Sequence, residues 1–235
     1  MRQNAIIAGV GMTHFGKHME LGLKAIGAEA VRSAVEDAGM RLEDIEAAYV
    51  GNAAAGLVTG QECIRGQVIL RSIGLGRIPV VNVENACASG STAFHQAAAM
   101  ITAGAHDVVL ALGVEKLYSE DRKKSFSAFS GAVDVELMEA ILESLQKSAA
   151  ASGAHAGAAG AGEKRSMFMD IYAAVARAHM QRYGTTAEQF AMVSAKNSFH
   201  GSMNPRAQFR EPLTVEQVLA APMIAEPLTR PMCSP

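Results

Sequence analysis

Pro79-Val-Val-Asn-Val-Glu-Asn-Ala-Cys87-Ala-Ser-Gly-Ser-Thr-Ala-Phe94 joins three local patterns in one short run. The β-branched part predicts a strand over 80–85, Cys-Ala-Ser-Gly-Ser predicts a turn, and the alanine-rich continuation predicts a helix over 92–103. Cys87 is thereby expected where a helix begins. Unpaired N–H groups and the partial positive charge of a helix N-terminus favour thiolate over thiol, and the thiolate is the nucleophile. Gly90 supplies freedom for a sharp turn, and Ser91 is expected to cap the helix by accepting from its first amides. Free cysteines are also among the most buried residue types, so a structural role stands beside the catalytic one. The small residues on both sides of Cys87 leave room for a substrate to approach closely, which suits covalent catalysis.

Working outward, strand and helix patterns alternate. Asp107–Leu112 is a nearly continuous aliphatic run and predicts a strand, as do Ala48–Gly51 and Ala5–Val10, the last read as buried. Leu23, Ile26, Ala30, Ala34 and Ala38 recur at helical spacing, with Gly39 as the stop, and Ile64–Ile73 has helical character. Such alternation predicts an α/β fold, a mostly parallel sheet with helices on both faces. Ligands in these sheets bind at the carboxyl ends of the strands, where Cys87 falls. Gly9-Val-Gly11 resembles the start of a dinucleotide fingerprint, but His14 stands where its third glycine is needed. These glycines are expected to make a turn instead.

After Lys116 the alternation lapses. Ser148–Gly162 is low in large apolar side chains and predicts a mobile loop. Met167–Tyr183 predicts a helix with Phe168, Ile171, Tyr172, Val175, His179 and Met180 on one side and Gly184 as its stop. Thr185 or Thr186 is expected to cap the next helix, and Thr186-Ala-Glu-Gln189 has the capping-box pattern.

At 235 residues and 49% hydrophobic content, the chain has enough material for one large or two small cores. A net charge of -2 provides no basic field for nucleic acid. Apolar runs fall short of the roughly 18 residues needed to span a bilayer. Met1-Arg2-Gln3-Asn4 leads straight into the first apolar segment without a signal-peptide pattern, so a cytoplasmic location is expected.

Three cysteines, Cys63, Cys87 and Cys233, are too few and too widely spaced for a disulfide framework or a zinc site, and no metal is expected. Cys63 reads as a structural residue on a helix and Cys233 as structural near the end. None of the seven histidines pairs with another at ligand spacing. His95 follows Cys87 by more than two helical turns, roughly 12 Å, and is a poor candidate for its base.

Asn82-Val-Glu-Asn-Ala-Cys87-Ala-Ser-Gly-Ser91 resembles the nucleophile segment of the thiolase superfamily. Asn204-Pro-Arg-Ala-Gln-Phe-Arg-Glu-Pro-Leu-Thr-Val215 resembles the sterol-carrier-protein-type, or lipid-transfer-type, thiolases. Ala8-Gly-Val-Gly-Met-Thr-His-Phe-Gly16, Gly113-Val-Glu-Lys116 and Ala225–Pro235 match further pieces in the family's order. The resemblance implies a thiolase-like N-terminal half at residues 1–116. A mainly helical loop domain covering the coenzyme A site would occupy 117–225, and 226–235 would return toward the core. It also implies that the family's C-terminal half lies beyond this sequence.

By the same resemblance, Cys87 is the catalytic residue, taking an acyl group as a thioester in lipid metabolism. The reaction would be thiolytic cleavage of a 3-oxoacyl-CoA or the reverse Claisen condensation, with backbone N–H groups near Cys87 contributing to an oxyanion hole. Coenzyme A is substrate or product, with no permanently bound cofactor. A homodimer or higher oligomer is implied, with a separate chain as one source of the C-terminal half. The family's activating histidine and second catalytic cysteine lie in that half and map onto no residue here. The alternative is a non-catalytic scaffold or partner subunit that keeps the coenzyme A pocket and dimer surface. A free-standing cysteine hydrolase is disfavoured by the lack of a histidine partner for Cys87.

Overall fold

The computed structural model describes residues 4–151 and 166–233. They form two compact units, Met1–Glu120 and Asp121–Pro235 by chain position. In the first unit the order is α1 (Leu23–Asp37), β1 (Ala47–Gly51), α2 (Ala55–Thr59), α3 (Arg65–Arg71), β2 (Val80–Val83), α4 (Ser89–Thr102) and β3 (Val109–Gly113). The sheet is parallel with strand order β2-β1-β3, and Gly51 lies opposite Val83 on one side and Gly113 on the other.

That order explains the layers. The chain moves one way across the sheet from β1 to β2 and the opposite way, over β1, from β2 to β3. Crossovers of one hand in opposite directions put their helices on opposite faces. Accordingly Ala48, Val50 and Leu112 pack with Ile26 and Val31 of α1 and with Ile69 and Leu70 of α3. Tyr49 and Val83, on the other face, pack with Ala93 and Ala97 of α4. Ile69 and Leu70 are wholly buried, each contributing about 1.5–3 kcal/mol by leaving water.

The N-terminal segment corrects the sequence reading. Residues 4–15 form no strand, and Ile6, Ile7 and Val10 are exposed, Ile6 to 90%. Their backbone bonds go to side chains instead of a ladder: Asn4 N–H donates to Thr102 Oγ1 at 3.2 Å, and Val10 N–H to Asp37 Oδ2 at 2.8 Å. Gly9 and Gly11 do not make a turn but lie against α1. A β-carbon at Gly9 would sit 2.5 Å from Ala34 O and Ala38 N. Ala34 and Ala38 of the predicted stripe therefore face this segment, while Leu23, Ile26 and Val31 carry the helix's buried contacts.

The second unit is mainly helical: α5 (Arg122–Ser130), α6 (Met138–Ala151), α7 (Met167–Tyr183), α8 (Ala187–Met203) and α9 (Val215–Ala220), with an antiparallel pair, β4 (Met223–Ala225) and β5 (Leu228–Thr229). Ser148–Ala151, expected to begin a mobile loop, close α6, and 152–162 lie outside the described residues. Capping follows the sequence. Gly184 ends α7 at φ 70°, and Thr186 and Gln189 make the reciprocal bonds of a capping box on α8.

The buried face of α7 is not the predicted one. Ala173 and Ala176 are buried against Leu228 and Phe190, whereas Tyr172 and Val175 are exposed. Alanine's small side chain lets neighbouring elements approach, and that close packing outweighs the size of the apolar residues on the other side.

Candidate active site

Cys87 lies in a 3₁₀ turn, Ala86–Ala88, between β2 and α4, and is exposed. The turn is strained. Ala86 has φ 43°, a left-handed conformation costing a non-glycine residue about 1–2 kcal/mol. Side chains hold both of its backbone polar groups: Ala86 N–H donates to Glu84 Oε1 at 2.6 Å, and Ala86 C=O accepts from Ser89 Oγ at 2.7 Å. The same Ser89 oxygen accepts from Asn85 N–H at 2.9 Å. Asn85 Nδ2 donates to Thr92 Oγ1 at 3.0 Å, and Ala88 N–H closes the turn on Asn85 O at 2.8 Å.

The hydroxyl that organises the turn is therefore that of Ser89, and Ser91 does not cap the helix. The N-cap position of α4 is Ala88, which has no capping side chain, and Ser91 Oγ donates to Ala88 O at 2.9 Å instead of accepting from an amide. The reason is geometric. The 3₁₀ turn runs directly into α4, so Ser91 already lies inside the helix and bonds back to a carbonyl, as hydroxyls within helices do. The amides of Ala86 and Ala88 are engaged, which removes these two from the donors open to an oxyanion.

The start of α4 sits on the sheet. A β-carbon on Gly51 would be 2.6 Å from Ser89 C and 2.7 Å from Gly90 N, and one on Gly113 would be 3.3 Å from Gly90 Cα. The carboxyl ends of β1 and β3 thus touch helix backbone directly, an approach that only glycine permits at Gly51 and that is merely tight at Gly113. A carboxylate ties those two ends together. Glu115 accepts from Asn52 Nδ2 at 3.0 Å and from the amides of Ala53 at 3.1 Å and Ala54 at 3.0 Å, while Asn52 Nδ2 also donates to Val114 O at 2.6 Å. Asn52 is buried and its Oδ1 has no hydrogen-bond partner.

The other sequence candidates lie apart from this turn. Cys63 is not on a helix but in the exposed connection between α2 and α3. Cys233 is partly buried, its Sγ 3.5 Å from Thr229 O, and desolvation pushes its thiol above the ordinary range. His95 is exposed on α4. Among the described residues no group of acidic, histidine or cysteine side chains could hold a metal ion, and no helix is long and apolar enough to cross a membrane.

A depression of about 310 Å³ is lined by Met19, Glu20, Lys116, Tyr118, Ser119 and Glu120, none of them in the cysteine turn. Lys116 Nζ there donates to His18 O at 2.8 Å and to Leu21 O, pinning the N-terminal loop to the end of β3. Sequence reasoning missed Glu84, Ser89 and Glu115 as organisers. A carboxylate two residues before Ala86 and a hydroxyl three residues after it are the local signal for the first two.

Comparison with known proteins is consistent with this architecture. A profile described as the thiolase N-terminal domain matches residues 5–221. An acetyl-CoA acetyltransferase of Methanothermobacter thermautotrophicus is 40% identical over 235 residues, covering all of this chain and 54% of the relative. A benzoylsuccinyl-CoA thiolase subunit of Thauera aromatica is 31% identical over 236 residues, covering 99% of this chain and 52% of the relative. Sterol carrier protein 2 of Gallus gallus is 32% identical, with 40% of its length covered. The solved structure titled Ltp2-ChsH2(DUF35) aldolase superposes with a TM-score of 0.66 at 25% identity, covering 97% of this chain and 52% of that one. The chain spans about half the length of most of these relatives.

Proposed function

Because the chain belongs to the thiolase family, whose N-terminal domain accounts for most of its length, we propose that it supplies the nucleophile of an acyl-CoA acyltransferase. One observation carries the reading: an exposed cysteine in a strained, side-chain-braced turn, at the carboxyl end of a parallel sheet and the start of a helix. The sulfur of Cys87 adds to the 3-keto carbon of a 3-oxoacyl-CoA. The bond between C2 and C3 then breaks, its electron pair leaves on C2 as an enolate, and a proton converts that enolate to acetyl-CoA or a related product. The acyl group remains on sulfur until the thiolate of free coenzyme A attacks the thioester and releases Cys87. The reverse sequence is a Claisen condensation.

The proton transfers are assigned to a C-terminal half, in line with the partial coverage of the relatives. That half comes either as continuing sequence, which is favoured by relatives whose single chains are about twice as long as the matched part, or as a separate chain. In this reading residues 1–116 are the core, 117–225 cover the coenzyme A site and 226–235 return toward the core. A homodimer would form along β2, which pairs only with β1 among the described residues and leaves Val81 42% exposed. Light scattering that finds a monomer at micromolar concentration would sink the dimer.

Nucleophile and base act as a unit, so the chain without the second half should acylate slowly and not turn over. With an acyl-CoA, the protein should gain the acyl mass, the gain should vanish in Cys87→Ser, and adding the C-terminal half should start turnover. No adduct on Cys87 would overturn the assignment. Sustained thiolysis by these 235 residues alone would overturn the division of labour.

A further inference from the structure

We infer that Ser89 and Glu84 are positioning residues that together hold the cysteine turn, clamping the two backbone groups of the strained Ala86 so that Cys87 stays presented at the rim. Ala86 is left-handed without being glycine, and a residue in that conformation relaxes unless its surroundings hold it. Glu84 holds its N–H at 2.6 Å and Ser89 its C=O at 2.7 Å, one clamp on each side of the strained residue. A third bond, from Asn85 N–H to Ser89 Oγ at 2.9 Å, means that one hydroxyl spans the turn.

The two clamps have different footings. Ser89 is 5% exposed, and its backbone rests against Gly51 where no β-carbon fits, so its position is inherited from the sheet. Glu84 is exposed and reaches Ala86 N–H from two residues upstream. Released, Ala86 returns to negative φ and carries Cys87 out of its presented position. The consequence for acyl transfer rests on the reading of Cys87 as the nucleophile. The clamp itself is a statement about thiol presentation.

The test measures alkylation of Cys87 by iodoacetamide in the full chain, with exposed Cys63 as internal reference. In Glu84→Ala the ratio of Cys87 to Cys63 rates should fall by up to about fivefold, the change in equilibrium constant that one such hydrogen bond commands, and in Ser89→Ala, which removes two, it should fall at least as far. Glu84→Gln, which keeps an acceptor oxygen, should recover most of the ratio. An unchanged ratio in Glu84→Ala, or a Glu84→Gln ratio as low as that of Glu84→Ala, overturns the clamp. If Ser89→Ala fails to fold, the Glu84 pair decides, because that side chain is exposed and its removal leaves the core intact. The two readings separate cleanly. A ratio that falls in a protein that never accepts an acyl group keeps the clamp and removes the nucleophile, whereas acylation with an unmoved ratio does the reverse.

Discussion

Replacing Gly51 by alanine tests the seat on which the cysteine turn is built. The added β-carbon would lie 2.6 Å from Ser89 C and 2.7 Å from Gly90 N, both backbone atoms at the start of α4. No flexible side chain can yield there. Either β1 moves, breaking its register with Val83 and Gly113, or α4 lifts off the sheet ends. Overpacking of this kind costs about 3 kcal/mol, the upper part of the usual range, because rigid atoms collide. At about 4 °C per kcal/mol for a unit of this size, the melting transition should fall by roughly 12 °C in calorimetry. Gly76→Ala is the control: its β-carbon meets nothing nearer than 3.8 Å, its backbone is not left-handed, and the change should stabilise by about 0.5 kcal/mol. A Gly51→Ala protein melting within about 2 °C of its parent, a shift worth only half a kcal/mol, would refute the close approach of sheet and helix.

Two further outcomes follow from the charge and burial of single groups. Cys233 should alkylate more slowly than Cys63 at neutral pH and catch up only in more alkaline solution, since desolvation raises its thiol while Cys63 is exposed; peptide mapping that finds Cys233 the faster of the two at neutral pH would contradict this. The Arg41 guanidinium, bonded to Asp44 Oδ1 at 2.6 Å, holds the Asp44 carboxyl below its usual range, so its contribution is present above the ordinary carboxylate pKa and is lost as pH falls through the depressed value. Asp44→Asn should therefore lower the melting temperature slightly near neutrality and leave it unchanged in strong acid, and a difference that grew on acidification would reverse the sign.

Much of the fold could be read from local chemistry. The stop of α7 at Gly184, the capping box of Thr186 and Gln189, and the strands and helices around Cys87 rest on neighbours a few residues apart, so a linear reading reaches them. Strand alternating with helix likewise contains the parallel sheet, and the motif around Cys87 contains the family. What escaped were matters of which distant group meets which. Ala5–Val10 has the composition of a buried strand, yet a strand needs a ladder partner, and here the Val10 amide goes to Asp37 and that of the preceding Asn4 to Thr102. α7 buries its alanines because Leu228 and Phe190 reach that face, which its own periodicity does not encode.

The cysteine turn shows the division most sharply. Its residue types announce a nucleophile candidate, but Ser91 and Ser89 are equivalent on paper. The choice between them is made by the left-handed φ of Ala86 and by α4 resting on Gly51 and Gly113, residues far along the chain in either direction. A hydroxyl becomes a clamp only where the backbone brings a donor and an acceptor to it. That depends on three-dimensional placement, and only the tertiary structure supplies it.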